Sequence, residues 1–207
     1  MRMAPLLLVT AVLLLAAPAA QAAPRFTAEI APVRWDDLRH SYRAGCPVGP
    51  AGLRTVQVSY RDFAGRARTG RIVVARRHAP GLARVFRRLW DARFPLRLVE
   101  PVSAFRGSDD ASMAADNTSG FNCRPVAGTS RWSMHAFGEA IDVNPVENPY
   151  VRGSHVSPAT GRAYLDRSRY RPGMAVAGGV LVRAFAAEGW KWGGPWGDHQ
   201  HFSTNGR

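Results

Sequence analysis

Between Pro80 and Arg93 the apolar residues Leu82, Val85, Phe86, Leu89 and Trp90 recur at i, i+3, i+4, i+7 and i+8, with Arg84, Arg87 and Arg88 on the other side of the period. This spacing predicts an amphipathic helix whose apolar stripe faces a core and whose arginines face solvent. Upstream, Val56, Val58 and Tyr60 alternate with polar residues. After Asp62-Phe-Ala-Gly65 a second apolar run follows at Ile72-Val-Val-Ala75. Alternation on both sides of a glycine-containing turn predicts a hairpin-like strand pair. A second helix is expected over about 179–188, with Val180, Leu181, Ala184 and Phe185 turned inward and Gly189 as its stop. A tryptophan- and glycine-rich strand pair then ends the chain. Residues 107–131 are rich in Ser, Asp, Asn, Thr and Gly and lack apolar periodicity. They are expected to form a long surface loop, a kind of segment that often carries function.

The first residues change where the protein is expected to act. Arg2 precedes an apolar run from Leu6 to Ala17, and the small-residue stretch Pro18-Ala-Ala-Gln-Ala-Ala23 follows. This is the pattern of a secretory signal peptide over residues 1–22, with cleavage after Ala22. A run of about a dozen residues is too short to span a bilayer, which takes roughly 20. A secreted or periplasmic, wall-associated location is therefore expected, with no membrane span. In an oxidising compartment Cys46 and Cys123, the two cysteines of the chain, are expected to form a disulfide.

Without residues 1–22 the chain has 27 basic and 15 acidic residues, a net charge of +12, and Lys191 is its one lysine. Such a charge favours an acidic partner. An exported chain with no recognisable nucleic-acid motif points away from nucleic acid and towards wall polymers and peptide carboxylates, although an arginine-rich composition that merely solvates the surface gives the same balance.

The densest chemistry lies in two segments, Ser133-Met-His-Ala-Phe-Gly-Glu-Ala-Ile-Asp-Val-Asn-Pro145 and Trp190-Lys-Trp-Gly-Gly-Pro-Trp-Gly-Asp-His-Gln-His-Phe202. A bend at Gly138 would bring His135 beside Asp142 on an Ala140–Val143 strand, and His201 on another strand would complete a set of three. Two imidazoles and one carboxylate leave a position for water, as in catalytic rather than structural zinc sites. Two cysteines are too few for a closed thiolate site. His199 shares a strand face with His201, which makes it an alternative ligand or a nearby acid–base group. His40, His78 and His155 lack acidic partners at a recognisable spacing. Lys191 is preceded at three residues by Glu188, so Ser-x-x-Lys is absent, as are Gly-x-Ser-x-Gly and His-Glu-x-x-His.

Ser-x-His-x-x-Gly-x-Ala-x-Asp, then Gly-Trp-x-Trp-Gly-Gly-x-Trp and Asp-x-x-His-Phe, resemble the zinc D-alanyl-D-alanine carboxypeptidase family. That family is similar to phage L-alanyl-D-glutamate endolysins and to the D-Ala-D-Ala dipeptidases of vancomycin resistance. The resemblance covers about Leu53 to Phe202 and takes in Phe121-Asn-Cys-Arg124 and Asn144-Pro145. It implies a single α+β domain, hedgehog/D-Ala-D-Ala-peptidase-like, with a small antiparallel sheet, flanking helices and a zinc cleft, over residues 53–207 after an N-terminal extension at 23–52. It further implies one Zn2+ held by His135, Asp142 and His201, a general base at Asp198 and an anion-holding arginine at Arg106. Ser133, Trp192 and His199 are expected to bind substrate, with one of the tryptophans Trp190, Trp192 and Trp196 flanking the cleft. The implied reaction is hydrolysis of a peptidoglycan stem peptide by a monomer, first as a D-alanyl-D-alanine carboxypeptidase. The alternatives are an L-alanyl-D-glutamate endopeptidase with the same site and a non-catalytic zinc-containing wall-binding module. His199 departs from the family pattern, which more often has Tyr there.

Overall fold

The computed structural model describes residues 23–206, so the expected signal peptide lies outside the described residues. In chain order the elements are β1 (Ala28–Pro32), α1 (Trp35–Leu38), β2 (Leu53–Arg61), β3 (Ala67–Ala75), α2 (Ala79–Asp91), β4 (Leu98–Val99), α3 (Asp109–Ala114) and β5 (Asn117–Thr118). They continue with β6 (Ala140–Asp142), β7 (Tyr150–Arg152), β8 (His155–Ser157), α4 (Val180–Ala186), β9 (Lys191–Trp192) and β10 (His201–Ser203). The sheet β1-β2-β3 is antiparallel throughout, and a second antiparallel sheet has the order β6-β10-β9. Among the described residues no helix is long and apolar enough to cross a membrane.

The strand alternation read from the sequence sorts residues into two cores. Val56, Val58, Ile72 and Val74 of the hairpin pack under Leu82, Val85, Phe86 and Leu89 of α2, all buried. Leu53 and Val73 point to the other face and meet Leu38, Phe121 and Cys123. Along a strand successive side chains face opposite ways, so one hairpin serves both clusters. Leu181, Ala184 and Phe185 of α4 join the first core, and the Phe185 ring stacks on Phe202 of β10 with centroids 4.2 Å apart. That contact ties α4 to the strand that carries His201.

Residues 23–52 pack onto the domain. β1 runs beside β2 with Ala28 opposite Val58 and Pro32 opposite Arg54. Leu38 is buried, and Asp37 accepts from Thr55 Oγ1 at 2.8 Å while lying 2.9 Å from Arg71 Nη1. Cys46 and Cys123 form the disulfide, with Cα atoms 5.9 Å apart. The expectation of a surface loop over 107–131 needs correction. Asp109–Ala114 is helical, with Ser108 Oγ accepting from Ala111 N at its start, and β5 pairs in parallel with β4. Residues 116–123 are buried. Their polar side chains are taken up by internal hydrogen bonds, as when Asn117 Nδ2 donates to Glu100 O and Ser112 Oγ. Buried polar groups of this kind are tolerated because they are paired. Apolar periodicity is absent because hydrogen bonding does the work.

A long connection from Asn144 to Ala175 is held in the same way. Asn148 Nδ2 donates to Val143 O and Gly173 O, and Asn148 Oδ1 accepts from Ala175 N at 2.6 Å. Beside it Glu147, 1% exposed, accepts from Tyr164 Oη, with Asp116 close by and Arg97 Nη2 at 3.8 Å. Burial pushes the Glu147 carboxyl above its ordinary 4.5, and the hydrogen bond and charge of Asp116 push it further. An acid whose pKa is raised on folding contributes stability that is full below about 4.5 and is lost as pH rises through its folded value. Urea denaturation at pH 5 and pH 8 is therefore expected to show wild-type stability falling with pH. The Glu147→Gln variant should fall less, by on the order of 1 kcal/mol. Equal slopes for the two proteins would contradict this account of the cluster.

Candidate metal centre

Asp142 and His201 are brought together by strand register. β10 pairs antiparallel with β6 so that His201 lies opposite Asp142 and Phe202 opposite Ile141. His201 Nδ1 is 3.1 Å from Asp142 Oδ1. His135 arrives from the other side on a 3-10 turn, Met134–Phe137, which begins with Ser133 Oγ accepting from His135 N and ends at Gly138 with φ +67°. A Cβ on Gly138 would sit 2.6 Å from Ala75 N, so the bend needs glycine for both its conformation and its close approach to β3. His135 Nε2 is 3.2 Å from Asp142 Oδ2 and 3.3 Å from His201 Nδ1.

The other ring nitrogen of His135 is 2.6 Å from Gly120 O. A proton on Nδ1 donated to that carbonyl leaves the Nε2 lone pair facing the cluster, the outer hydrogen bond typical of metal-ligating histidines. One ligand atom from each of His135, Asp142 and His201 lies within 4.8 Å of the others, and all three residues are buried. Burial acts to raise the Asp142 carboxyl, but His135 and His201 outweigh it and hold it far below the usual range. The donor set of two imidazoles and an ionised carboxylate fits a zinc ion with one position left for water.

Asp198 lies on the turn into β10, its backbone bridged to Tyr150. Together with His201, Tyr150, Gly193, Trp196 and Gly206 it lines a cavity of about 290 Å³. Its Oδ1 is buried without a hydrogen-bond partner among the described residues, which suits an oxygen meant for water or substrate at the metal. Burial pushes the Asp198 carboxyl up to about 6; the Asp142 charge adds to this, while His201, His135 and Arg124 oppose it.

The remaining expected site residues divide. The His199 ring lies against Trp192, centroids 6.0 Å apart, and burial together with the Arg167 charge pulls its pKa down to about 4. It is outside the three-residue cluster, so the geometry favours His201 as the ligand. Trp192 packs against the main core and donates from Nε1 to His199 O at 2.8 Å. Trp196, instead, lines the cavity. Ser133 Oγ accepts from His135 N at 3.3 Å as a cap on the His135 turn, a contact that does not use its O–H donor. Arg106 is exposed, in a left-handed conformation at φ +57° after the turn Val102–Phe105, and is not a cavity-lining residue.

Two further residues carry weight that the sequence did not assign. Tyr150 gives no local signal. Arg124 stands in the quoted Phe121-Asn-Cys-Arg124 motif, and its guanidinium is 2.7 Å from Asp109 while its charge acts on Asp198. A second cavity, about 370 Å³ and lined by Asp36, Asp37, Arg39, His40, Arg71 and Ser103 among others, is built from ion pairs already satisfied within the protein. After loading with zinc and desalting, wild-type protein and His199→Ala are expected to retain about one equivalent by plasma emission, because three protein ligands suffice for a catalytic site. His201→Ala should lose it, and retention by His201→Ala with loss from His199→Ala would reverse the ligand assignment.

Comparison with known proteins bears on the same segments. A family model described as D-alanyl-D-alanine carboxypeptidase matches residues 127–204, a stretch that includes His135, Asp142, Asp198 and His201. No curated protein and no solved structure matches the chain. The matched stretch, which contains all three residues of the His135–Asp142–His201 cluster, is thus similar to the D-alanyl-D-alanine carboxypeptidases.

Proposed function

We propose that the protein is an exported zinc peptidase that removes the terminal D-alanine from peptidoglycan stem peptides. The observation that carries this reading is the placement of Asp198, with its unpartnered buried oxygen, in the same cavity as His201 of the three-ligand cluster. Bound zinc supplies a polarised carbonyl and water acidified to a pKa of about 7.

The chain's own residues supply the rest. His135, oriented by Gly120 O, and the Asp142 carboxylate, kept ionised by both imidazoles, would hold the metal together with His201. Asp198 takes a proton at Oδ1 from the attacking water and returns it to the leaving amine. A carboxyl raised to about 6 is well matched to both steps near neutral pH. The chain end of the substrate also needs a cation. Arg124, fixed by Asp109 and acting on Asp198, suits that role better than the exposed Arg106.

An endopeptidase cutting between L-Ala and D-Glu would use the same metal set, and a non-catalytic wall-binding module would have no use for Asp198. Digestion of a stem pentapeptide followed by mass spectrometry separates these readings. The expected product has lost one alanine, a chelator stops the reaction, and Asp198→Asn lowers kcat by at least about 10²-fold with zinc still bound. Cleavage between Ala and Glu would establish the endopeptidase instead. Undiminished activity of Asp198→Asn, or indifference to the chelator, would overturn the mechanism.

A further inference from the structure

Two aromatic residues, Trp196 and Tyr150, line the cavity that also holds Asp198 and His201. Trp196 is 64% exposed, the largest value among the exposed large hydrophobic residues described, yet it lines the cavity with Asp198 and His201. It stands on a short turn, Gly194–Trp196, that the surrounding chain holds firmly. Trp196 N donates to Gly193 O at 2.8 Å, and the Trp192 ring lies directly beneath Gly194. Tyr150, another lining residue, is held on two sides. Its backbone bridges Asp198, and its ring meets His155 edge-on with centroids 6.2 Å apart. Val151 N donates to Gly197 O at 2.8 Å, which fastens the Tyr150 strand to the Trp196 turn.

The cavity is small, and Asp198 is the one carboxylate among its described lining residues. Besides Asp198 and His201 it is bounded by Gly193 and Gly206, and a Cβ on Gly193 would come within 2.8 Å of Asp198 O. Ligand sites for drug-sized molecules start at roughly 300 Å³, so about 290 Å³ accommodates about a dipeptide with small side chains. An exposed indole lining the same cavity as Asp198 offers a flat apolar face on which a peptide plane or a methyl group can stack.

We infer that Trp196 and Tyr150 form a clamp that grips the last two residues of the stem peptide and restricts them to small apolar side chains. The clamp rests on the peptidase reading for the identity of its ligand, and it makes Trp196 and Tyr150 determinants of specificity rather than of the chemical step. Removal of uniform binding raises KM and leaves kcat nearly unchanged.

The test uses zinc-loaded full-length enzyme on stem peptides ending in D-Ala-D-Ala or D-Ala-D-Phe, with calorimetric binding of the D-Ala-D-Ala peptide to an Asp198→Asn background. Trp196→Ala is expected to raise KM for D-Ala-D-Ala by about tenfold or more, equivalent to one stacked contact, with kcat within about twofold. It should also narrow the preference over D-Ala-D-Phe. Trp196→Phe should restore most of the affinity, and Tyr150→Ala should act in the same direction. Trp35→Ala, an exposed tryptophan on α1 away from the cavity, is the control and should change nothing. An unchanged KM and preference in Trp196→Ala, or an equal loss in kcat for both peptides, would overturn the clamp. If wild type binds the peptide through Trp196 but cleaves neither substrate, the clamp stands and the peptidase reading fails. If it cleaves D-Ala-D-Ala while Trp196→Ala behaves as wild type, the clamp alone fails.

Discussion

The register of β10 against β6 sets both the interior and the chemistry of this half of the molecule. His201 and Asp142 face each other on one side of the pair, while Phe202 and Ile141, both fully buried, face each other on the other. Because the side-chain period of a strand is two, a slip of one residue would turn both pairs over. The phenylalanine and isoleucine would leave the core at a cost of roughly 1.5–3 kcal/mol each. Apolar burial therefore enforces the register that brings His201 and Asp142 together. The Phe185–Phe202 stack extends that enforcement to α4.

His135 is positioned by a separate chain of contacts that ends in the same core. The turn carrying it stops at Gly138, whose carbonyl accepts from Ala75 N at 2.9 Å, and Ala75 ends β3. β3 is fixed in turn by β2 and by the apolar stripe of α2. The two sheets thus hold His135 from one side and the Asp142–His201 pair from the other, and His135 hydrogen-bonded to Gly120 O faces the pair with a defined ring edge. A cluster built in this way is preorganised by packing before any metal arrives.

Local periodicity made α2, the β2–β3 hairpin and α4 legible in the sequence, because each buries one face and repeats it at a fixed spacing. His135 and Asp142 were legible for a related reason, since a tight motif with a glycine bend fixes their relation within a few residues. By side-chain chemistry alone His201 and His199 were alternatives; the Asp-x-x-His-Phe resemblance pointed to His201, and its pairing with Asp142, 59 residues away, is what brings it into the cluster. The buried stretch 116–123 was read as surface because its residues are polar, and their partners, such as Glu100 for Asn117, lie elsewhere in the chain. Arg106 and Arg124 are equivalent as letters; the structure leaves the first exposed and pairs the second with Asp109, a contact that no local pattern encodes.

The account stands or falls on the composition of the metal's coordination shell. Anomalous diffraction at the zinc edge from crystals of the zinc-loaded protein measures it directly. The expected result is one peak within about 2.0–2.2 Å of His135 Nε2, His201 Nδ1 and an Asp142 carboxylate oxygen, with a water in the fourth position beside Asp198. A zinc ion bound through His199 in place of His201, or one lying away from Asp142, would contradict the account.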